Sequence, residues 1–567
     1  MIDLILTSPA EGPATLFTRN FRVHSGIPIG LYESGPRSPV AVVYGDVSEE
    51  SLREYSEKYC ALIAIPSISN DEIPENPRQF ETMTVKAPIL AKIQDVTRGG
   101  FNCFVRLADG GPLVYDGYSG KTPTVLFAAD LIKATIRILS GKLEENSGID
   151  RRGRHKPAPE SVIYAPAVSF HFNLIENTIR YTFRKLGLPL MSIPRWPESA
   201  PLALFLSHDV DIVKKWTYKR IGYEFMQSLV ELLCFRKKRL VDTVRSLSDV
   251  MNNHDPYWNF DELLFLEDAN GFKSTWFFAP FGGVYQKRES PIDPVYHRKP
   301  SELSAMIRKI CESGCEVAIH GTRRAFLEER SLTDQLESFE NRLGIKICGV
   351  RHHYLMFRHG TTLETASKCG LKYDATLGFS DRPGFRNGIA APFFPFPVSH
   401  EAGQMVEIPL NFMDGSFLHA EGDSEGVRRR IIESYLYAKA AGGLFSALVH
   451  PRNMDDGEIP ELANFYQSFL PRCKRDGARS MTGIEIAEWW TAREKVLRSL
   501  EYFDDTWRVQ GVEIPEGMDF SITAPNIKSM RFSIDGAGGS SDLDHDSLCI
   551  RPSNVDPERG IVFHRQP

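Results

Sequence analysis

The middle of the chain contains five apolar runs, and each ends in polar residues that can do chemistry. The runs are LALFLSHDVD ending at Asp211, CEVAIHG with His320, IKICGVRHHY with Arg351 to His353, MVEIPLNFMD ending at Asp414, and GLFSALVH ending at His450. Apolar runs of this length, bounded by Gly, Pro or charge, are typical of strands buried on both faces. Because catalytic side chains of a β/α barrel collect at the carboxyl ends of its strands, the pattern predicts one composite site.

Helical patterns alternate with these runs from about residue 196 onward. PSELSAMIRKICESG and LTDQLESFENRLG have helical spacing and each ends at a Gly just before the next run. Alternating strands and helices imply βαβ units with parallel pairing, and six or seven such units favour a closed or nearly closed, distorted (β/α) barrel. No Gly-rich phosphate-binding loop follows any of the runs, so nucleotide use is not indicated.

The regions on either side of this pattern differ from it. Residues 1–195 mix short β-like runs with helical stretches and predict an α/β accessory domain, residues 196–498 form the barrel domain, and residues 499–567 form a small β-rich appendage that could be a partial sandwich. The stretch 218–253 predicts a helical insertion whose basic residues 236–239 suit a solvated face, with a membrane-surface or phosphate-binding face as the alternative. DGAGGSSDLDHDS near the end is flexible by composition.

Composition narrows the class of protein only a little. The 567 residues suggest roughly two to four domains, and 42% hydrophobic with 25% charged residues is ordinary globular composition. A formal net charge of -6 gives no general reason to bind nucleic acid or an anionic membrane. The start lacks a secretory pattern, no window resembles a membrane span, and nine scattered cysteines fit reduced thiols. We therefore expect a cytoplasmic protein; its oligomeric state is not indicated.

Asp209 and Asp211 lie two residues apart at the end of the first run. In a strand their carboxylates point to the same side, about 6 to 7 Å apart. Two like charges that converge in a pocket need a cation between them, which a metal ion or an arginine could supply. The alternative is structural: one aspartate caps the following segment and the other is solvated.

The other polar clusters supply candidates for the remaining roles. His320 precedes Gly321 and could bind a metal, although a single histidine after a strand is often a hydrogen-bonded structural residue. Strand alternation puts Arg351 and His353 on one side, where the guanidinium could orient a carboxylate base through paired hydrogen bonds. His450 has the placement of a general acid. For both Arg351 and His450 a purely structural role is the alternative.

The ordered motifs resemble a known family over about residues 196–490. LFLSHDVD, EVAIHGT, GVRHHY and ALVHP look like the first, second, third and last motifs of the NodB-homology polysaccharide deacetylases, carbohydrate esterase family four. DPYWNF, KSTWFF and YDATLGFSDRPGFRNG are similar to a bacterial subgroup with an additional N-terminal domain. The resemblance implies a deacetylase barrel of NodB type acting on a carbohydrate.

By this resemblance the residues take defined roles. Asp209 would be the catalytic base and Asp211 a metal ligand, Arg351 would orient the base, and His450 would be the general acid. The family's second motif has two histidines four apart, but here His320 is followed by Arg324. Catalytic zinc typically has three protein ligands, so another side chain must complete the set. Our candidate is His353, with His208 and His352 as less favoured alternatives.

The implied reaction is hydrolysis of an N-acetyl group on a sugar, with a divalent metal, zinc by preference, that polarises the amide carbonyl and activates water. Asp209 would take the proton and His450 would protonate the departing amine. The loop YDATLGFSDRPGFRNG is expected to contact substrate, with a structural loop as the alternative. Its polar residues are Asp374, Asp381, Arg386 and Asn387, of which the last three are our candidates for substrate binding.

Two further functions remain open at this point. Arg324 in place of the second histidine motivates a metal-free amide hydrolase on the same scaffold. A carbohydrate-binding or assembly protein that kept the barrel and lost turnover is the other, because likeness of fold does not determine function.

Overall fold

The structure is a computed structural model that describes most of the chain. The residues outside its description are 1, 8–10, 33–37, 68–77, 83–84, 90–101, 107–111, 146, 152, 158–163, 218–220, 224–225, 227–247, 250, 253, 282–292, 396–404, 421, 504–505, 526, 544–546, 554, 557 and 567. Within the described part, no helix has both the length and the apolar character needed to cross a lipid bilayer.

The N-terminal region is a sheet of seven strands packed against helices. Its strands are β1 (Ile2–Leu6), β2 (Ile29–Leu31), β3 (Val40–Gly45), β4 (Ala61–Pro66), β7 (Asn102–Arg106), β8 (Pro112–Ser119) and β9 (Thr122–Phe127), with β5 (Arg78–Thr82) and β6 (Val85–Ile89) as a separate hairpin. The order is β2-β1-β3-β4-β9-β8-β7, parallel from β2 to β9 and antiparallel at β8 and β7. Its helices are Glu11–Ser25, Glu49–Ser56, Leu131–Leu139, Lys142–Glu145 and Ala167–Lys185. Because β3 and β4 are buried along their whole length, they occupy the centre, as apolar runs in parallel sheets do.

The central region is the predicted barrel. After β10 (Leu190–Ser192) its strands are β11 (Leu202–Val210), β12 (Ser274–Phe278), β13 (Glu316–Gly321), β14 (Gly349–His352), β15 (Tyr373–Asp374), β16 (Val406–Glu407), β17 (Phe412–Met413), β18 (Leu444–Leu448) and β19 (Ala478–Ser480). They pair in parallel in the order β16-β15-β14-β13-β12-β11-β18-β17, with β19 beside β11. The helices are Phe260–Asp268, Pro300–Glu312, Glu329–Leu343, Thr361–Lys368, Gly415–Leu418, Ser424–Ala440, Leu462–Arg475 and Gly483–Ser499.

One stretch of chain, residues 405–414, connects the two ends of this sheet, and we call it the crossing segment. Its first half bonds to β15 and its loop, as Ile408 N–H donates to the Asp374 carbonyl (2.9 Å). Its second half bonds to β18, as Asp414 N–H donates to the Leu448 carbonyl (3.1 Å). Because one segment bonds to both ends in turn, the sheet is a distorted barrel, which confirms the predicted fold class.

The two helices predicted between the strands are present. Pro300–Glu312 and Glu329–Leu343 agree with the helical patterns, and Gly344 ends the second in the left-handed conformation (φ 69°), which glycine adopts without a steric cost. The predicted insertion over 218–253 lies largely outside the described residues, including all four of its basic positions at 236–239.

The C-terminal region is a β-sandwich, whereas the short alternating segments predicted a β-rich appendage with a partial sandwich as one possible form. One sheet has the order β10-β22-β25-β24 and the other β20-β21-β26-β23, and Phe520 packs against Phe563 between them (5.1 Å between ring centroids, with the rings tilted by 44°). Its strands are β20 (Leu500–Phe503), β21 (Thr506–Val509), β22 (Phe520–Thr523), β23 (Arg531–Asp535), β24 (Gly538–Leu543), β25 (Ser547–Ser553) and β26 (Ile561–Gln566). Strand β10 precedes the barrel strands in the sequence. Strand β24 lies in the glycine-rich stretch whose composition predicted flexibility.

A buried ionic cluster connects the N-terminal region to the barrel. Glu144 is 2% exposed and accepts hydrogen bonds from Arg386 Nε (2.9 Å) and Nη2 (2.9 Å). His359 Nε2 lies 2.7 Å from the same carboxylate. Burial alone would raise the pKa of Glu144, but the Arg386 charge and the hydrogen bonds outweigh it and lower the pKa to about 2. We call Glu144, Arg386 and His359 the junction cluster.

Candidate active site

A cavity of about 510 Å³ opens at the carboxyl ends of the barrel strands. Side chains far apart in the sequence line it together, as the five apolar runs predicted. Those that concern the chemistry are Asp209, Asp211, His320, His353, His450 and Arg452. The sequence therefore predicted correctly that these runs end around one cavity.

Asp211, His320 and His353 form a group that could hold a metal ion, and we call it the mouth cluster. One ligand atom from each lies within 4.8 Å of the others. Asp211 Oδ1 is 3.3 Å from His320 Nε2 and 3.5 Å from His353 Nε2. Asp211 Oδ1 and His320 Nε2 are buried and have no hydrogen-bond partner among the described residues. Since buried polar atoms are normally satisfied, these two atoms fit a bound cation.

A backbone contact sets the orientation of His320. Its Nδ1 lies 2.8 Å from the carbonyl oxygen of Arg351, an acceptor, so Nδ1 carries a proton. Nε2 is then the nitrogen that faces Asp211. Metal-binding histidines usually donate their second N–H to such an acceptor, which holds the ring in position.

The electrostatics of the mouth cluster favour a cation. Burial would lower the pKa of His320, but the charges of Asp209 and Asp211 outweigh it and raise the pKa. Burial would raise the pKa of Asp211, but the interactions with His320, His353 and His450 outweigh it and lower the pKa well below its usual range. The pocket therefore stabilises positive charge beside Asp211, whether that charge comes from protons or from a metal ion.

Asp209 is held by the arginine that the sequence assigned to it. Arg351 is fully buried and its Nη1 donates to Asp209 Oδ1 (3.0 Å) and to Ser207 Oγ (2.9 Å), while Nε donates to the Ala375 carbonyl (2.7 Å). The second oxygen, Asp209 Oδ2, lies 3.9 Å from His320 Nδ1. Asp209 therefore has one oxygen fixed by Arg351 and the other directed to the side of the mouth cluster.

Two further carboxyl groups, Asp374 and Glu407, lie within the electrostatic range of Arg351. Both are fully buried; Thr376 N–H donates to Asp374 (2.7 Å) and Leu377 N–H donates to Glu407 (3.0 Å). Burial raises the pKa of Asp374 to about 6. Burial, and then the charge of Asp374, raises the pKa of Glu407 well above its usual range.

His450 pairs with Asp414. His450 Nδ1 lies 2.8 Å from Asp414 Oδ1, while His450 N–H (2.7 Å) and Asn453 Nδ2 (3.0 Å) donate to Oδ2. Burial would lower the pKa of His450, but Asp414 and then Asp211 raise it to about 9. With Nδ1–H directed at Asp414, Nε2 faces Asp211 Oδ2 at 3.5 Å, so a proton on Nε2 points into the cavity.

His353 lies in a tight turn directly after β14 rather than in the strand. The next residue, Tyr354, has a φ of 59°, which is uncommon for a residue other than glycine and concentrates at functional sites. Arg154, from the N-terminal region, donates from Nη1 to the Tyr354 carbonyl (2.9 Å). The N-terminal region therefore supports the turn that holds His353 beside Asp211.

The alternative ligands His208 and His352 lie elsewhere. His208 is fully buried, with Nδ1 2.8 Å from the Val449 carbonyl and Nε2 2.8 Å from Glu267, so both ring nitrogens face acceptors. His352 is also fully buried, and burial lowers its pKa to about 3. Arg324, at the position of the second motif histidine, pairs with Glu328 (3.0 Å) with more than half of its side chain exposed.

The residues predicted to contact substrate are not among those that line the cavity. Arg386 binds Glu144 in the junction cluster, and Asn387 Nδ2 donates to the Leu139 carbonyl (3.1 Å). Asp381 pairs with Arg382 (2.9 Å) and is partly exposed. For Arg386 and Asn387 these contacts favour the structural interpretation of the loop, whereas substrate contact by Asp381 stays a prediction.

Three residues of the site received no role from the sequence. Asp414 was noted only as the end of an apolar run, and its contact with His450 links residues whose pairing no local pattern reveals. Glu407 is a carboxyl group inside an otherwise apolar run, which is itself a signal of a buried polar partner. Asp293, whose Oδ1 lies 3.7 Å from His353 Nδ1 and accepts from Arg323 N–H (2.9 Å), gives no such signal.

Comparison with solved structures finds carbohydrate deacetylases. Agd3, described as a novel carbohydrate deacetylase, is 9% identical, with 100% of this chain and 98% of that chain covered and a TM-score of 0.42. The peptidoglycan deacetylase PdaC from Bacillus subtilis is 10% identical, with 52% and 93% covered and a TM-score of 0.26. BA3943, a CE4 family pseudoenzyme from Bacillus anthracis, is 11% identical, with 50% and 65% covered and a TM-score of 0.26.

No protein-family model and no curated protein matches the chain. The structures above are of the kind that the sequence motifs resemble. At these scores and identities they leave the function to be inferred from the site itself.

Proposed function

We propose that the chain is a metal-dependent hydrolase that removes N-acetyl groups from a carbohydrate. The observation that supports this most directly is the meeting of three units on one cavity: a carboxylate held by an arginine, a carboxylate with two histidines, and a histidine paired with a carboxylate. These are the parts that hydrolysis of an amide requires, namely a base, a Lewis-acid site and an acid.

The mouth cluster suits zinc. One carboxylate oxygen and two imidazole nitrogens are a three-ligand set of the kind that catalytic zinc uses, with a further position left for water or substrate. Such a bound cation would supply Lewis-acid polarisation of the amide carbonyl and acidify a water molecule. The same donor set also accepts other divalent metals, so the identity of the metal is part of the test.

The protein's own residues supply the proton transfers in this proposal. Asp209, with Oδ1 fixed by Arg351, accepts the proton of the attacking water on Oδ2. His450, with Nδ1–H donated to Asp414, carries a proton on Nε2 and delivers it to the departing amine nitrogen. Arg351 orients Asp209 through the hydrogen bond from its Nη1 to Oδ1.

The sequence suggested a metal-free hydrolase because Arg324 stands where the second motif histidine is expected. The position of Arg324 in the structure removes this argument. That side chain pairs with Glu328 on the surface, and His353 occupies the place beside Asp211 and His320. Only a measurement of activity can distinguish the enzyme from a carbohydrate-binding protein without turnover. That alternative is therefore one of the outcomes of the test below.

The test combines metal analysis with an assay of acetate release. We expect about one divalent metal per purified wild-type chain, as for a mononuclear site, and loss of it in His320→Ala and His353→Ala. His564→Ala, in the sandwich, is the matched control and should keep the metal. Wild type should release acetate from N-acetylated saccharides, lose this activity with a chelator and regain it with zinc.

Each other outcome selects a different function. Activity that survives chelation, in a protein without metal, would establish the metal-free hydrolase. Stoichiometric metal with no acetate released from any N-acetylated mono- or oligosaccharide would favour the binding protein.

A further inference from the structure

The cavity contains more cationic side chains than the proposed chemistry uses. Besides Arg351, which donates to Asp209, the side chains that line the cavity include Lys214, Lys215 and Arg452. The contacts of these side chains differ, and the difference indicates what the cavity binds.

Arg452 lies two residues after His450, in a tight turn that begins at Pro451. Its Nη2 is 3.8 Å from Asp211 Oδ2, which is longer than a hydrogen bond. Its Nε is buried and has no hydrogen-bond partner in the part of the chain that the structure describes. A guanidinium has N–H groups in a planar fork that matches a carboxylate or a phosphate, so this side chain is placed to bind an acceptor from outside the protein.

Lys214 and Lys215 are neighbours with different contacts. Lys215 forms an ion pair with Asp455 and lies 3.8 Å from Glu458, so its charge is already balanced. Lys214 is half-buried on the same cavity and makes no ion pair or side-chain hydrogen bond with any residue that the structure describes. It is therefore a second cation without a protein acceptor.

The carboxylates of the cavity are already engaged. Asp209 is bound by Arg351, and Asp211 belongs to the mouth cluster. Asp293 accepts from Arg323 N–H on Oδ1, which lies 3.7 Å from His353 Nδ1, while its Oδ2 is buried without a hydrogen-bond partner among the described residues. A divalent cation in the mouth cluster would balance the charges of Asp211 and Asp293, so Arg452 and Lys214 would leave the described lining with an excess of positive charge. Cavities with an excess of one charge concentrate ligands of the opposite charge.

We propose that the substrate is an acidic sugar, one that carries a carboxylate or phosphate group close to its acylated amino group. Arg452 is its principal contact and Lys214 assists. This inference rests on the proposed deacetylase function and adds the substrate class to it.

The test compares a neutral and an acidic sugar in the metal-loaded enzyme. N-acetylglucosamine is the neutral substrate, N-acetylglucosaminuronic acid supplies a carboxylate and N-acetylglucosamine 6-phosphate a phosphate, which distinguishes the two sources of charge. Wild type should have the higher kcat/KM for an acidic sugar. Arg452→Gln should lower kcat/KM for that sugar by roughly 10- to 100-fold more than for the neutral one, the loss typical of a charged hydrogen bond. For the acidic sugar, the kcat/KM of Arg452→Lys should lie between that of wild type and that of Arg452→Gln.

Arg559→Gln, which removes an exposed arginine of the sandwich, is the control and should leave the preference unchanged. Equal losses on neutral and acidic sugars in Arg452→Gln, or no preference in wild type, would overturn the proposal.

Binding without turnover separates this proposal from the proposed function. Calorimetry should detect methyl glucuronide binding to metal-loaded wild type and weaker binding to Arg452→Gln, with methyl glucoside as the neutral reference. If this difference is found but no saccharide releases acetate, the acidic-sugar site stands and the deacetylase function fails. If acetate is released without any dependence on Arg452, the deacetylase function stands and the acidic-sugar site fails.

Discussion

The mouth cluster and the junction cluster contain the same kinds of residue and differ in how their polar atoms are used. Each has a buried carboxylate that nearby cationic side chains keep ionised, with a lowered pKa in both cases. In the junction cluster Glu144 accepts three hydrogen bonds from Arg386 and contacts His359. In the mouth cluster Asp211 Oδ1 and His320 Nε2 have no hydrogen-bond partner among the residues described.

This difference distinguishes a cluster that stabilises the fold from one that binds a ligand. Satisfied buried charges contribute to stability and leave nothing for a ligand, whereas unsatisfied ones cost stability and persist where function requires them. Substitutions in the mouth cluster and its neighbours should therefore affect activity, and those in the junction cluster should affect stability.

The largest effect is expected for the base. Asp209→Asn keeps the shape and an acceptor for Arg351 but cannot take a proton, so kcat for acetate release should fall about 10³-fold. Metal content, measured by plasma mass spectrometry, and the free energy of unfolding should stay close to those of wild type. Retention of more than about a tenth of the activity would remove Asp209 from the role of base.

A substitution in the junction cluster should lower the stability of the fold and leave the metal site intact. Glu144→Gln leaves Arg386 buried without a counter-charge, so the free energy of unfolding at pH 7 should fall by about 3 to 5 kcal/mol, measured by urea denaturation. Metal content should be retained. A variant as stable as wild type would show that Arg386 finds another partner.

The junction cluster also predicts a dependence on pH. The folded-state pKa of Glu144 is about 2 and its ordinary value is 4.5, so the charged group contributes stability that is fully present above 4.5 and is lost as the pH falls toward 2. The difference in unfolding free energy between wild type and Glu144→Gln should shrink over this window. Comparing the two proteins cancels the titration of the other carboxylates, and a constant difference would contradict the assignment.

Added metal should stabilise the mouth cluster alone. A ligand that binds only the folded state at 100 times its Kd stabilises it by about 2.7 kcal/mol, which raises Tm. We expect this shift when zinc is added to metal-free wild type and to metal-free Glu144→Gln but not when it is added to His320→Ala, measured by calorimetry. An equal shift in all three would place the metal elsewhere.

The smallest effect is expected for the partner of the general acid. Asp414→Asn weakens the contact that orients His450, so kcat should fall roughly 10- to 100-fold, as for other residues that act through a catalytic neighbour. KM and metal content should change little. A fall in metal content comparable to that of His320→Ala would instead assign Asp414 to the metal site.

The sequence predicted best what depends on continuous apolar runs. Strands β11, β13 and β18 are long and buried, so their positions, and the polar residues at their ends, could be read directly. The crossing segment reads as one strand, yet it pairs with two different neighbours, and pairing between distant strands leaves no local pattern. Glu144 and Arg386 are also invisible as partners, because they are far apart in sequence and each has an ordinary local context.

The function of individual loop residues was harder to predict than the fold. Arg386 and Asn387 belong to a motif that suggested contact with substrate, but they bond to the N-terminal region, and nothing in their own loop indicates that. Strand β10 pairs with β22 across more than 300 residues of sequence. A pairing over this distance leaves no local pattern, so the sequence assigned only residues from 499 onward to the C-terminal region.

The crossing segment limits how this chain can vary in length. It carries Glu407, near the arginine that holds the base, and Asp414, which holds the acid, and its backbone is hydrogen-bonded to β15 and its loop in the first half and to β18 in the second. One inserted or deleted residue between them would shift one of these two sets of backbone hydrogen bonds out of register, and with it the side chain that the set positions. Loops elsewhere at this end of the barrel can lengthen to suit new ligands, but this stretch has to keep its residue count for base and acid to work on the same bond.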